Sequence, residues 1–233
     1  LDAPEQLDGK NFSYVLLTPD GAACRSAEGV ALLRTLRKVI GNSNARLLIC
    51  CVGLGLFEHV RAHTGLSEDQ ILEGTMVSFS YQVGREGTPL PEQHQRAMHD
   101  GCDFAYLDFA NERGFMIAGP RVPTKQFVSL FNQNSGVKCF RIPRKLFRST
   151  TSAYVAFTIA CELARWSSLS AVIENSELWQ LCCQAQREIF RLRQHGLAGK
   201  LMALVMSNRR QAKMMRDMER DAAKMGFMNF FHF

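Results

Sequence analysis

Apolar and polar positions alternate in short blocks over the first 142 residues and in longer helical periods after them. Tyr14 to Leu17 (YVLL) is a short apolar run closed by Thr18-Pro19-Asp20-Gly21, which predicts a buried strand ending in a turn. Val30, Leu33, Leu36, Arg37 and Ile40 then define an amphipathic helix over Gly29 to Ile40, stopped at Gly41-Asn42. Arg46 to Val52 (RLLICCV) predicts a second strand, which runs through Gly53-Leu54-Gly55 into a helix from Leu56 to His63. Strand, helix, strand, glycine turn and helix is the order of a doubly wound parallel sheet. Ligands of such sheets lie off the carboxyl ends of the strands, here near Pro19 and Val52-Gly53. Further on, Thr75 to Tyr81 alternates as a strand. Phe104 to Phe109 and Gly114 to Ala118 read as a hairpin around Asn111-Glu112, Pro123 to Asn132 as a helix, and Val137 to Ile142 as a last strand.

All seven prolines precede residue 144, and only three of the 17 glycines follow it. Loss of both helix breakers places a domain boundary near Pro143, with a mixed α/β part over 1–142 and an all-helical part over 143–233. The helical part opens with Lys145 to Trp166. Lys145, Ser149 and Ser152 recur at i, i+4 and i+7 and so share one side of it, whereas Ala153 to Cys161 is apolar nearly all round. A helix polar at its start and buried at its end suits a catalytic lysine, and equally suits a core helix whose first turns face water. Leu178, Leu181, Cys182, Ala185, Ile189 and Leu192 predict an apolar stripe on a helix from Ser176 to His195, closed by Gly196. A third helical region spans Lys200 to Met225, broken near Ser207-Asn208 and closed by Gly226. The apolar cluster Met225 to Phe233 that ends it reads as core cut off within an element.

Composition adds limits. Hydrophobic residues make up 46% and charged ones 21%, ordinary for a globular chain of 233 residues, and no apolar run reaches the roughly 20 residues of a membrane span. The eight cysteines show no C-x-x-C and no zinc spacing, which fits buried thiols in a reducing compartment such as the cytoplasm. Of the net charge of +6, the whole surplus lies between Arg187 and Lys224, where ten Lys/Arg face four Asp/Glu. No nucleic-acid motif accompanies it, so a solvated helix face is the simpler reading. Within it, Lys213 to Asp221 offers i, i+4 pairs such as Lys213–Asp217, with Met215, Met218 and Ala222 turned inward. His59 and His63 stand one turn apart without a third ligand, so no metal centre is expected. Val52-Gly53-Leu54-Gly55 is not a G-x-G-x-x-G fingerprint, and the chain contains none.

The order YVLLTP, helix, CCVGLG, helix, a β-rich stretch closing in MIAG and then a helical part opening on a Lys-Leu helix resembles the ketopantoate reductase (2-dehydropantoate 2-reductase) family. KMMRD, with Met214, Met215 and Asp217, resembles that family's Ser-Met-Leu-x-Asp stretch. The resemblance implies an incomplete Rossmann-like sheet followed by an all-helical domain of 6-phosphogluconate dehydrogenase C-terminal type. It also implies NADP as cofactor, hydride transfer to the ketone of a 2-keto acid in pantothenate biosynthesis, and possible homodimerisation through the helices. Lys145 matches the proton-donating lysine of a cleft between the domains, with Arg148 a shifted alternative. Ser149, Ser152 and Asp217 would line the substrate site, and Pro19, Val52 and Gly53 the cofactor site. The chain departs from the family at several points. The first strand-helix unit, with its phosphate-binding glycines, would lie outside this chain, and the family's Asn-Gly is Val52-Gly53 here. Its helix asparagines are Ser149 and Ala153, its Ser before Met-Leu is Lys213, and its substrate-binding Glu falls near Met225. A non-catalytic interaction module that dimerises through the 178–192 stripe is the alternative.

Overall fold

A computed structural model describes residues 12–41, 43–76, 79–82, 104–107, 113–134, 137–165 and 168–224. The chain divides into two compact units, one of residues 1–77 with 113–147 and the other of 78–112 with 148–233.

In the first unit, strands β1 (Tyr14–Leu17), β2 (Arg46–Ile49), β3 (Ile71–Met76), β6 (Arg113–Ala118) and β7 (Lys138–Arg141) form one sheet in the order β1-β2-β3-β6-β7. The first three are parallel, as the sequence predicts. β6 then runs antiparallel to β3, and β7 parallel to β6, so the sheet is mixed. Successive side chains of a strand point to opposite faces. Leu47 and Ile49 accordingly pack with Leu33, Leu36 and Ile40 of α1 (Ala27–Ile40) and Val60 of α2 (Leu56–Thr64). Leu48, on the other face, packs with Leu72, Ile117 and Phe127 of α3 (Arg121–Asn134). Helices on both faces make the sheet doubly wound, and a continuous aliphatic run such as RLLI is what a strand covered on both sides requires.

Two expectations for this region are corrected. The run predicted as one strand from Thr75 to Tyr81 is β3 followed by a separate strand, β4 (Phe79–Gln82). The predicted hairpin does not form: β5 (Phe104–Leu107) pairs antiparallel with β4, while β6 pairs with β3 and β7. Adjacency in sequence suggested a hairpin, but β6 is drawn to the exposed edge of β3, where Phe115 and Ile117 gain burial.

In the second unit, α4 (Arg144–Leu163) continues past residue 147 and is followed by α5 (Leu169–Glu174), α6 (Ser176–Arg191), α7 (Gly196–Val205) and α8 (Asn208–Lys224). The core joins Phe157, Ala160 and Cys161 of α4, Val172 and Ile173 of α5, Trp179, Cys182 and Cys183 of α6, and Ala212 and Met215 of α8. The break expected near Ser207-Asn208 falls between α7 and α8. Gly196 closes the 3-10 turn at Arg193–His195 with φ 58°, as expected, and also opens α7, whereas the α-helix expected to reach His195 ends at Arg191. The apolar stripe expected on α6 is also corrected. The buried face is Trp179, Cys182, Cys183, Gln186 and Phe190, while Leu181 is 60% and Leu192 49% exposed. Trp179 and Phe190 remove more apolar area than the leucines do, and the buried stripe is the expected one shifted by one residue, about 100° around the helix. Trp166, Met218, Ala222 and Met225 to Phe233 lie outside the residues whose surroundings are described.

Candidate functional site

The loops at the carboxyl ends of β1 and β2 are built around Arg25. After β1, Asp20 accepts the Ala23 N–H at 2.7 Å and starts a 3-10 turn over Ala23–Arg25. Ser26 caps α1 by accepting the Gly29 N–H at 3.1 Å. Gly29 is required there, because a Cβ would lie 2.0 Å from the Ala23 carbonyl oxygen. The turn aims Arg25 across to the next loop. Its guanidinium donates to the Gly21 carbonyl at 2.8 Å and to the Leu54 carbonyl. A Cβ on Gly21 would stand 3.8 Å from the Val52 oxygen and 3.9 Å from the Gly53 Cα, so the two loops touch. His59 on α2 adds a second tie, with Nε2 3.0 Å from the Cys24 carbonyl oxygen. Gly55 takes the left-handed φ of 65° that lets the chain enter α2.

Val52 and Gly53 thus lie against Gly21, in the turn that follows Pro19, with Val52 40% exposed. Arg25 organises them and was not singled out in the sequence, because one arginine in a turn carries no periodic signal. Beneath this edge burial pushes the Cys24 thiol up, and Cys51, beside it, is pushed up to about 12, by burial first and then by Cys24 and Cys50. Both stay protonated at neutral pH and act as packing atoms. His59 and His63 stack edge-on at 4.5 Å between centroids, and among the described residues no three His, Cys, Asp or Glu side chains gather to hold a metal.

Arg144, at the start of α4, is the second polar centre of this unit. It donates to the carbonyls of Ile71 at 2.7 Å and Glu68 at 3.2 Å, lies 3.2 Å from the Glu73 carboxylate, and covers the Phe57 ring at 5.2 Å. Glu68 also pairs with Arg61 at 3.1 Å. These contacts fix the backbone beside Lys145, whose side chain is exposed. Lys145 was expected to face the carboxyl ends of β1 and β2. The bonds of its neighbour run to residues just before and at the start of β3, the amino-terminal side of the same parallel strands.

The remaining predicted residues belong to the second unit. Ser149 is fully buried and Ser152 half-buried on α4. Asp217 on α8 pairs with Arg220 at 2.9 Å, whereas the sequence suggested Lys213. Two residues on, Glu219 accepts the Ser170 N–H at 3.1 Å and the Ser170 hydroxyl, fastening α8 to α5.

With a doubly wound sheet and a helical part, the fold is of the Rossmann-like α/β class. No protein-family model matches the chain, and no curated protein matches it. Among solved structures it is similar to the dimeric ketopantoate reductase from Staphylococcus aureus, with a TM-score of 0.53 and 12% sequence identity over 95% of this chain and 73% of that one. At that identity the likeness establishes the fold. No helix of the described residues is long and apolar enough to cross a membrane.

Proposed function

We propose that the chain is part of an NADP-dependent reductase that reduces the ketone of a 2-keto acid. The observation that carries this reading is the likeness of fold to a ketopantoate reductase across nearly the whole chain. The joined loops at the carboxyl ends of β1 and β2 agree with it, because that edge is where open α/β sheets bind nucleotides. Exposed backbone at Val52 and Gly53, beside Pro19, would hold part of the dinucleotide. When bound, the cofactor supplies a hydride. By the resemblance, the proton for the oxygen of the reduced carbonyl would come from Lys145, with Arg148 the shifted alternative. The bonds of Arg144, which run to the amino-terminal side of the strands, count against Lys145. Ser149, being buried, acts on the packing of α4.

NADPH oxidation against a panel of 2-keto acids tests the reading, with Lys145→Ala and Arg148→Ala in parallel. Loss of about 10²–10⁴ in kcat on Lys145→Ala is the expected result for a general acid. A loss within about threefold, or a larger one on Arg148→Ala, removes that role from Lys145.

A second reading, self-association through the helices, is favoured by α7. Its sequence GLAGKLMALV is apolar nearly all round, as in a buried helix, yet only Gly199 and Ala203 are buried. Leu197 (78% exposed), Leu201 (62%), Leu204 (76%) and Val205 (49%) form a bare aliphatic row at i, i+4, i+7 and i+8. This row replaces the 178–192 stripe as the proposed dimer face. Leu201→Lys with Leu204→Lys should convert a dimer to a monomer in sedimentation. An unchanged sedimentation coefficient sinks the idea.

A further inference from the structure

The amino ends of β1 and β2 border a cavity of about 380 Å³ on the opposite side of the sheet edge from the Arg25 loops. Phe12, Tyr14, Asn44, Arg46, Pro123 and Gln126 line it. Its walls are held by directional contacts within the first unit. The Arg46 N–H donates to the Ser13 carbonyl at 3.0 Å, and the Tyr14 hydroxyl donates to the Pro123 carbonyl at 3.0 Å. The Tyr14 ring meets Phe127 edge-on at 5.1 Å, which fixes α3 against β1.

The lining is chemically one-sided. It holds one full cation, Arg46, and no carboxylate. One nitrogen of Arg46 donates to the Asn44 carbonyl at 2.7 Å. Guanidinium presents its donors in a planar fork that matches an oxyanion. One positive charge balances one negative charge, so a monoanion is favoured over a phosphate dianion. The volume greatly exceeds the roughly 30 Å³ of a water, and Phe12 and Pro123 offer apolar wall, so the anion needs a hydrocarbon body.

From these observations we infer that this cavity is a binding site for a small organic monocarboxylate, with its carboxylate on Arg46 and its carbon skeleton against Phe12 and Pro123. The site stands apart from the loops proposed for the cofactor. Arg46 opens β2 and Val52 lies beyond its other end, with the strand's length of about 10 Å between them. The inference does not depend on the proposed reductase activity, and its test needs no turnover.

Isothermal titration calorimetry with benzoate and hexanoate reads binding directly, with inorganic phosphate and benzylamine as the dianion and cation controls. One saturable site is expected for a carboxylate, with binding at least tenfold weaker to Arg46→Met. Gln126→Trp fills the cavity from an exposed helix position with Arg46 itself retained, and should abolish binding while the circular dichroism melt stays unchanged. The inference is overturned if neither carboxylate saturates, if both variants bind like the parent, or if phosphate or benzylamine binds as tightly as the carboxylates.

Discussion

The two units hold themselves together by different means. The first buries aliphatic side chains on both faces of a sheet and ties its loops with arginines whose donors reach backbone carbonyls: Arg25 to Gly21 and Leu54, Arg144 to Glu68 and Ile71. The second packs helices through small and soft residues, with Ala160, Cys161, Cys182 and Cys183 letting backbones approach, and it leaves a row of leucines bare on α7. Directional bonds fix where a loop goes, whereas close packing fixes only that two helices meet. The first unit should therefore be sensitive to loss of a charge and the second to gain of a methyl group.

Arg144→Met is the strongest expected break of the first kind. It removes the guanidinium 3.2 Å from Glu73 and two hydrogen bonds to the carbonyls of Glu68 and Ile71. Loss of hydrogen bonds from a charged donor costs about 1.5–3 kcal/mol each. Hydrogen exchange read by mass spectrometry should show β3 and α2 opening, and protection left at parental levels there would contradict the contrast. Gly199→Ala is the counterpart in the second unit. Its Cβ would fall 2.1 Å from the Phe190 carbonyl oxygen and 2.6 Å from the His195 Cβ, both on relatively stiff positions. Overpacking of this kind costs about 1–3 kcal/mol, and exchange should rise in α6 and α7 while the sheet stays protected. Equal loosening of both units would instead mean that they unfold as one.

The smallest effect depends on pH. His195, 2% exposed at the corner between α6 and α7, has its pKa lowered by burial. The unfolded state therefore takes up a proton first as pH falls below about 6.5, and stability in the second unit is lost from there down to the folded value. Above that window the term vanishes. The slope cannot exceed about 1.4 kcal/mol per pH unit for one proton. Urea titrations at pH 5.5 and 7.5 should show a lower midpoint at the acid value, and His195→Gln should shrink the difference. An unchanged difference in that variant would assign the slope to other groups.

Much of the first unit is legible in its sequence because its signals are local. The runs YVLL and RLLICCV, the glycine turn and the helix stop at Gly41 each depend on neighbours a few residues away, and they appear in the structure, although the second strand ends at Ile49 rather than Val52. The pairing of β5 with β4 and of β6 with β3 depends on which edge is free in three dimensions, and no short-range pattern encodes that. The α6 stripe misled for a related reason. Leucines at helical spacing compete for the core with Trp179 and Phe190, and only the neighbouring helices decide which set wins. At the candidate site, Pro19, Val52 and Gly53 are proposed from the expected strand ends alone. Arg25, which joins their loops, and Arg144, which fixes the start of α4, act over long sequence separations and left no motif to read.

The crossing of Arg25 between two loops has a thermodynamic consequence. A loop that must be ordered when a ligand arrives subtracts that entropy from the affinity. Here the ordering is done during folding, by a side chain that bonds both loops before anything binds. The carboxyl edge of β1 and β2 thus behaves as one stiff platform. A ligand seated there would be recognised by a shape already set, and its residence time would depend on Arg25, a residue whose own donors are spent on the protein's backbone.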